Sequence, residues 1–565
     1  MKLLDFFQSV NQKIEAGQLD ALASMNPVKP TYFNWVEDIF YPMNVVTHGE
    51  EEALIWKYKD RKDVFSFKMV YERCNQLVNL LRKQQIEKGA VLYTMLPLIP
   101  ENWFTFLAGI KGGFIIMPTA TNLVEKDLLY RFESLFPEVM IAHSNYTDSV
   151  DAAEKAIGKK IKLKLIVDGT KAGWIGFDEI LQEALSCVVT PTKADDPFLY
   201  FFTSGTTGLP KIVVHSHFTY PVGHLSTLSW LGCKRGDIHY NISSPGWAKF
   251  AWSSFFAPWN AGATILANQV DKFDAKDQLS TMESLKVSTF CGSPTVIRML
   301  IQEDIRQYNL SLRSCCAAGE PLNPDVIDKW EKGTGVIIRD GYGQTETTAL
   351  VANLAGRKLR PGSMGKNTFL YNVGIFDEQG KEVPPLEEGI ICVKLDPTKN
   401  NGLFLEYLED KERTANSFKH NLYYTGDKAY KDEDGYIWFI GRNDDVIKAS
   451  AYRIGPFEVE SVLIEHPDVV ESAVVASPHD LRGYAVKAFV MLKEGVPPSE
   501  TLAEEIFRFS EDRLAKYKVP RIIEFPDALP KTISGKIRRI ELRSNEAIVR
   551  MKKGKGTHEY FHDKY

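Results

Sequence analysis

Nine consecutive residues carry the densest chemistry in this sequence: Thr203, Ser204, Gly205, Thr206, Thr207, Gly208, Leu209, Pro210 and Lys211. Glycines let backbone amides converge on an anion without a Cβ in the way, hydroxyls add donors, and a lysine supplies charge. Thr203, Ser204, Gly205, Thr206, Thr207, Gly208 and Lys211 are therefore candidate ligands of a polyphosphate. A P-loop requires G-x-x-x-x-G-K-[ST] at the opening of a helix. Here two residues separate Gly208 from Lys211 and the β-branched run 212–214 follows, which argues against P-loop ATPases and kinases. The alternative is a flexible hairpin turn, although a two-residue hairpin needs no such run of hydroxyls.

The elements that must hold this loop are apolar strands, 199–202 before it and 212–214 after it. Helical patterns alternate with strand-like runs over 65–158, including 90–96 and 114–118, and a helix is expected within 5–24. Two further strand and helix series fill 198–340, with strands at 264–267 and 287–290 and a helix at 295–303. This alternation predicts α/β layers. Between 362 and 441, short strands with Gly, Asp and Pro turns (373–376, 389–393, 435–440) predict a β-rich subdomain. The C-terminal part predicts a separate small domain: strand 445–447, helix 456–464, strands 469–476 and 486–492, and helix 500–516. The basic stretch from Lys552 to Lys555 reads as a solvated tail.

Composition limits the function classes. The 565 residues hold 68 Lys+Arg against 73 Asp+Glu, a formal net charge of −5, which offers no basic footprint for nucleic acid. Hydrophobic residues at 44% and aromatics at 12% exclude general disorder. A membrane helix needs about 20 mostly apolar residues, and the most apolar stretch, 91–118, is broken by Glu101, Asn102 and Lys111. Seven cysteines form no CxxC pair and no zinc-finger spacing. Reduced thiols and a start without signal or transit pattern predict a cytoplasmic protein. No G-x-G-x-x-G opens a βαβ unit, which disfavours a dehydrogenase.

Three more segments follow the loop: Asp340-Gly341-Tyr342-Gly343-Gln344-Thr345-Glu346; Tyr424-Thr425-Gly426-Asp427 with Gly441-Arg442-Asn443-Asp444-Asp445; and Pro530-Lys531-Thr532-Ile533-Ser534-Gly535-Lys536. In order and spacing the four resemble the signature of the acyl-adenylate-forming (AMP-binding) superfamily. Gly246-Trp247-Ala248-Lys249, Ala318-Gly319-Glu320-Pro321 and the stretch from Tyr452 to Glu460 look most like its medium-chain acyl-CoA synthetases. The resemblance implies an acid–thiol ligase that joins a carboxylic acid to ATP, releases pyrophosphate, and passes the acyl group from acyl-AMP to CoA. It also implies a large N-terminal domain, 1–443, made of two α/β subdomains and a β-rich one, and a small mobile α+β lid, 444–565, that turns about Asp444.

By the same resemblance, Lys536 contacts the carboxylate and the α-phosphate, Thr345 reaches the α-phosphate, and Glu346 ligates Mg²⁺. Gly319, Glu320, Pro321, Asp340, Gly341, Tyr342, Gly343 and Gln344 belong to the ATP/AMP site, with Tyr342 stacking on adenine. Asp427 and Arg442 hold the ribose, and Arg453 contacts phosphate. Trp247, Cys291, Gly292 and Gly343 line the acyl pocket, with core packing the other reading of Trp247. Gly343 stands where acetate-specific relatives carry a pocket-closing Trp, so a medium-chain or branched acid is expected. Ser450, Ala451, Tyr452 and Arg482 belong to the CoA path; Arg482 also reads as a solvated or structural arginine. The family usually has Gly where this chain has Ala451, and one methyl narrows the path without closing it. Lys531 falls off the catalytic position and reads as a surface lysine. Delivery to another thiol acceptor, or an ATP- and acyl-binding regulator without activity, are the competing expectations. These features are compatible with a homo-oligomer.

Overall fold

The apolar stretch 91–118 folds as a strand, a helix and a parallel strand: Val91–Met95, Glu101–Gly112 and Ile115–Pro118. Its polar breaks have structural roles. Glu101 sits in the helix's first turn, where the macrodipole favours an acid, and Gly113 ends the helix in the left-handed region at φ 70°. Such βαβ units generate most of the protein. The computed structural model describes residues 2–203, 210–396, 402–442, 444–449, 452–479, 483–531, 536–552 and 554–562.

The chain divides into two compact units, the first comprising Met1–Thr203, Leu209–Val373 and Lys394–Asn421 and the second Gly374–Val393 and Leu422–Tyr565. The first is built on two large sheets. One has eight strands in the order Glu406–Tyr407, Lys211–Ser216, Pro197–Thr203, Ile115–Pro118, Val91–Met95, Val139–His143, Leu163–Val167, Ile175–Gly176. The other has nine, and its central strands Thr264–Gln269, Ile238–Asn241, Thr289–Gly292, Ser314–Ala318 and Ile338–Gly343 run parallel. The N-terminal hairpin Glu52–Tyr58 and Arg61–Ser66 joins this second sheet, so the two α/β layers interleave in sequence. Helix Thr219–Leu231 is buried on every face and touches strands of both sheets, which explains its lack of a polar stripe.

In the second unit, strands Val373–Phe376, Glu388–Lys394, Leu422–Lys431 and Ile437–Arg442 form the β-rich part. Beyond it, helix Pro456–Ile464 starts on a proline at its first position, and Ile447, Val459, Leu463, Val474, Val486 and Ile506 share one core. The expected helix 456–464 and strands 469–476 and 486–492 are present, the strand expected at 445–447 is Ile447–Ala449, the helix expected at 500–516 ends at Glu511, and the terminus differs from the expected tail. Helix Arg539–Met551 is followed by strand Glu559–Phe561, which pairs with Ile522–Glu524, so the basic stretch is a connection between two ordered elements. Inside this unit the Lys487 Nζ lies 2.6 Å from Glu524, 2.6 Å from Glu546 and 2.5 Å from Glu559. Arg550 also pairs with Glu546 and Glu559.

Candidate active site

The strands on either side of the hydroxyl- and glycine-rich segment, Pro197–Thr203 and Lys211–Ser216, pair antiparallel with Thr203 opposite Lys211. A strand follows it, as expected. Ser204, Gly205, Thr206, Thr207 and Gly208 lie outside the described residues. Alternate side chains of a strand share a face, so Lys211 and His215 emerge on the same side, and both meet the segment 345–346. Lys211 Nζ lies 3.3 Å from Glu346 Oε1 and 3.7 Å from the centre of the Tyr407 ring. The Tyr407 hydroxyl donates to the same Glu346 oxygen at 2.8 Å, and the Phe404 amide donates to the Glu346 carbonyl at 2.9 Å. Burial, and then the neighbouring Glu346 carboxylate, push the Tyr407 phenol well above its ordinary value, so it stays a donor.

His215 Nε2 lies 2.7 Å from the Thr345 carbonyl. Burial lowers the His215 pKa to about 4, so the ring is neutral. A carbonyl only accepts, so Nε2 carries the proton and fixes the Thr345 backbone. Thr345 and Glu346 are thus held by an edge strand on one side and a hairpin strand on the other. The sequence reading found Lys211, Thr345 and Glu346 and missed Tyr407 and His215. Neither missed residue stands in a motif.

The second sheet supplies the other candidates at the carboxyl ends of its parallel strands, where open α/β sheets bind ligands. Cys291 lies opposite Cys316 and Gly292 opposite Ala317; Ala317 in turn lies opposite Asp340 and Ala318 opposite Gly341. Three neighbouring strands therefore end together on Cys291–Gly292, on Gly319–Pro321 and on Asp340–Gly343. Gly319 adopts φ 103° with open space where a Cβ would be, which suits close approach of a planar ligand. Glu320 accepts from the Thr295 hydroxyl at 2.6 Å and lies 3.5 Å from Arg298. Burial pushes the Asp340 carboxyl well above its ordinary range, and its oxygen accepts from the Gly341 amide at 2.9 Å. Tyr342 and Gln344 are half-buried at the strand's end.

The room expected beyond Gly343 is taken up by neighbouring groups. A Cβ at Gly343 would lie 2.2 Å from the Thr348 carbonyl oxygen and 2.5 Å from the ring of Trp252. The space toward which a side chain at 343 would point is filled, and Trp252, absent from the sequence reading, fills it. Trp247 is half-buried and packs against the core of the eight-stranded sheet, while Gly246 lets its backbone approach Ala120. Cys291 is fully buried.

In the second unit, Asp427 is buried on strand Leu422–Lys431 opposite Arg442, with Arg442 Nε 3.4 Å from its Oδ1. Gly426, its neighbour within the same strand, adopts φ 76°. Arg453 is exposed on Tyr452–Ile454. Asp444 is exposed, and its carbonyl accepts from Arg543 at 3.0 Å. Lys536 is exposed and adjoins Ile537, which bridges back to Lys531. Lys531 pairs with Glu471 at 2.8 Å, in keeping with a surface lysine. Ser450, Ala451 and Arg482 lie outside the described residues, as does the side chain of Tyr452.

Among the described residues the only three-ligand group with metal spacing is Glu524, Glu546 and Glu559, and Lys487 already bonds all three. Glu346 offers a hard oxygen of the type Mg²⁺ takes, as a single carboxylate that would share the ion with phosphate and water.

Two family models match the sequence: AMP-binding enzyme over residues 43–408 and AMP-binding enzyme C-terminal domain over 458–536. The chain is 45% identical over 572 aligned residues to 4-hydroxybutyrate–CoA ligase 1 of Metallosphaera sedula, covering 99% of this chain and 98% of the relative. It is 41% identical to the mitochondrial acyl-coenzyme A synthetase ACSM3 of Rattus norvegicus, covering 92% and 91%. Among solved structures, it is similar to the anthranilate CoA ligase AuaEII in complex with anthranoyl-AMP, with a TM-score of 0.85 at 30% identity over 92% of this chain and 99% of that one. It is also similar to a benzoate CoA ligase from Burkholderia xenovorans LB400, with a TM-score of 0.79 at 26% identity over 90% and 100%.

Proposed function

The chain belongs to the AMP-binding enzyme family, and from that premise we propose how its residues divide the work of an acyl-CoA synthetase. It is an ATP-dependent, AMP-forming acid–thiol ligase. A carboxylate oxygen attacks the α-phosphorus of ATP and pyrophosphate leaves; the CoA thiol then loses its proton, attacks the acyl carbon and displaces AMP. The first step brings two anions together, so its catalysis is charge stabilisation and in-line positioning.

Lys211 and the hydroxyl loop hold the β- and γ-phosphates, and Thr345, fixed through its carbonyl by His215, donates to the α-phosphate. Glu346 would hold Mg²⁺, which would supply charge neutralisation at the phosphates. Tyr407 keeps the Glu346 carboxylate oriented, and Lys211 balances its charge. The segments 319–321 and 340–342 flank adenine, and Asp427 accepts from the ribose hydroxyls beside Arg442. Lys536 approaches the reacting carboxylate and α-phosphate as part of a lid, 444–565, that turns about Asp444; CoA enters past 450–452. The bracket of Lys211, Glu346 and Tyr407 beside Thr345 supports this reading most strongly, because it brings together a cation and a hard anion from two of the family's motifs.

The acid is a medium-chain or branched carboxylic acid, and the relative named for 4-hydroxybutyrate extends the class to hydroxy acids. The protein works in the cytoplasm, in keeping with seven free thiols, six of them buried. No described helix is long and apolar enough to cross a membrane. Quantifying AMP, pyrophosphate and acyl-CoA in one reaction tests the reading: the expected ratio is 1:1:1 for a C4–C8 acid, and ADP in place of AMP would contradict it.

A further inference from the structure

Helix Arg539–Met551 begins just after Lys536, and the segment between them is closed by the Arg538 amide, which donates to the Pro530 carbonyl at 2.8 Å, and by the bridge from Ile537 to Lys531. Lys536 therefore goes where this helix goes. Two arginines anchor the helix. Arg539 donates to both oxygens of the buried Glu460 carboxylate, at 3.1 and 2.6 Å, and that carboxylate also accepts from the Val474 amide at 2.7 Å. Arg543, four residues on and so on the same face, reaches back to the other end of this region. It donates to the Asp444 carbonyl at 3.0 Å and pairs with the Asp445 carboxylate. Both side chains of that pair are mostly shielded from water, so salt screens it less than a surface pair.

The backbone at Asp444 sorts these contacts. In a planar peptide the carbonyl oxygen of residue 444 moves with the amide of residue 445. A turn about either dihedral of Asp444 carries that oxygen along with everything after it, and both Arg543 contacts survive. One described backbone bond spans the residue: the Asp445 amide donates to the Arg442 carbonyl at 3.0 Å, and a turn breaks it. Arg543 thus bonds only to the side that moves, and it joins the first peptide of that side to the helix after Lys536.

We propose that Arg543 is a positioning residue: it makes the 444–445 peptide and helix Arg539–Met551 one lever, so that a turn at Asp444 sets the place of Lys536 without being lost in the residues between. This role rests on the acyl-CoA synthetase reading, with Lys536 acting in adenylation, and adds to it a residue that touches no substrate.

The experiment measures acid-dependent pyrophosphate exchange by the wild type, Arg543→Met, Arg543→Lys and Asp445→Asn, with kcat and KM determined separately and urea midpoints taken on the same preparations. Arg543→Met should lower kcat about tenfold, the scale on which misplacing a reacting group acts, with KM for ATP and acid unchanged. Arg543→Lys, which keeps a cationic donor for both acceptors, should restore most of the loss. Asp445→Asn, which weakens one contact and leaves the carbonyl bond, should lower kcat less than Arg543→Met at an unchanged midpoint. A wild-type kcat in Arg543→Met overturns the inference, and so does a loss that only follows the folded fraction seen in urea. If Arg543→Met fails to fold, an unchanged kcat in Asp445→Asn overturns it. Absence of exchange by the wild type with every acid would instead overturn the acyl-CoA synthetase reading.

Discussion

Lys249 in the first compact unit and Lys487 in the second both have buried ammonium groups, and their surroundings are opposite. Lys487 in the second unit has three carboxylates within 2.6 Å. Burial pulls its pKa down, and those partners more than reverse the effect, so its pKa is raised. Lys249 in the first unit has no described hydrogen-bond acceptor, and burial lowers its pKa by more than Cys291, Glu320, Cys315 and Cys316 raise it. A buried charge whose partners belong to the protein is part of the architecture. Lys536 is a third case, exposed rather than buried.

The largest effect expected from this contrast is chemical. Lys536→Ala should lower acyl-adenylate formation by about a thousandfold, roughly 4 kcal/mol, with the thermal midpoint unchanged because the side chain is exposed. An equal fall in the midpoint would make Lys536 structural. Next, Lys487→Met should destabilise the second unit by about 3–5 kcal/mol, because it removes the cation that three buried acids share and leaves Arg550 to only two of them; urea unfolding measures this, and a loss below about 1 kcal/mol would remove the distinction between the two buried lysines.

The same network sets a pH window. Burial would raise the Glu559 carboxyl, but Lys487 and Arg550 outweigh it and hold its pKa below the ordinary value. A lowered carboxyl pKa contributes stability that is present above the unfolded value and lost as pH falls through the folded one. The raised Lys487 contributes stability fully present below its unfolded value and lost as pH rises through its folded one. The second unit should therefore be most stable between about pH 4.5 and 10.5, and pH-dependent urea midpoints should fall on both sides.

Two smaller effects test the first unit. Gly343→Ala should cost about 1–3 kcal/mol of stability from overpacking against Thr348 and Trp252, and should depress turnover of all acids alike. A clean shift toward acetate in Gly343→Trp would restore the simpler view that position 343 alone sizes the pocket. Tyr407→Phe should cost about 1–2 kcal/mol, read as a severalfold rise in KM for Mg-ATP; an unchanged KM would show that Lys211 alone orients Glu346.

How much of this was legible in sequence depended on whether the signal was local. Helix Pro456–Ile464 and strand Val373–Phe376 match their expected bounds because an N1 proline and a short apolar run between turns act locally. Helix Arg539–Met551 was missed because Ile540, Ile548 and Met551 are exposed apolar residues that blur its buried stripe. The motif residues were readable, but their supports were not. Tyr407 reaches Glu346 across 61 positions and His215 reaches Thr345 across 130. Neither carries a local pattern. Gly343 misled because an absent side chain was read as empty space, whereas Trp252, brought in from a helical run about ninety residues earlier, occupies it.

The central claim is that this chain makes an acyl-adenylate before CoA takes part. Acid-dependent exchange of labelled pyrophosphate into ATP, measured without CoA across a panel of carboxylic acids, tests it most directly. The account predicts exchange that requires both the acid and Lys536, followed by AMP release when CoA is added. Exchange independent of any acid, or none until CoA is present, would contradict it.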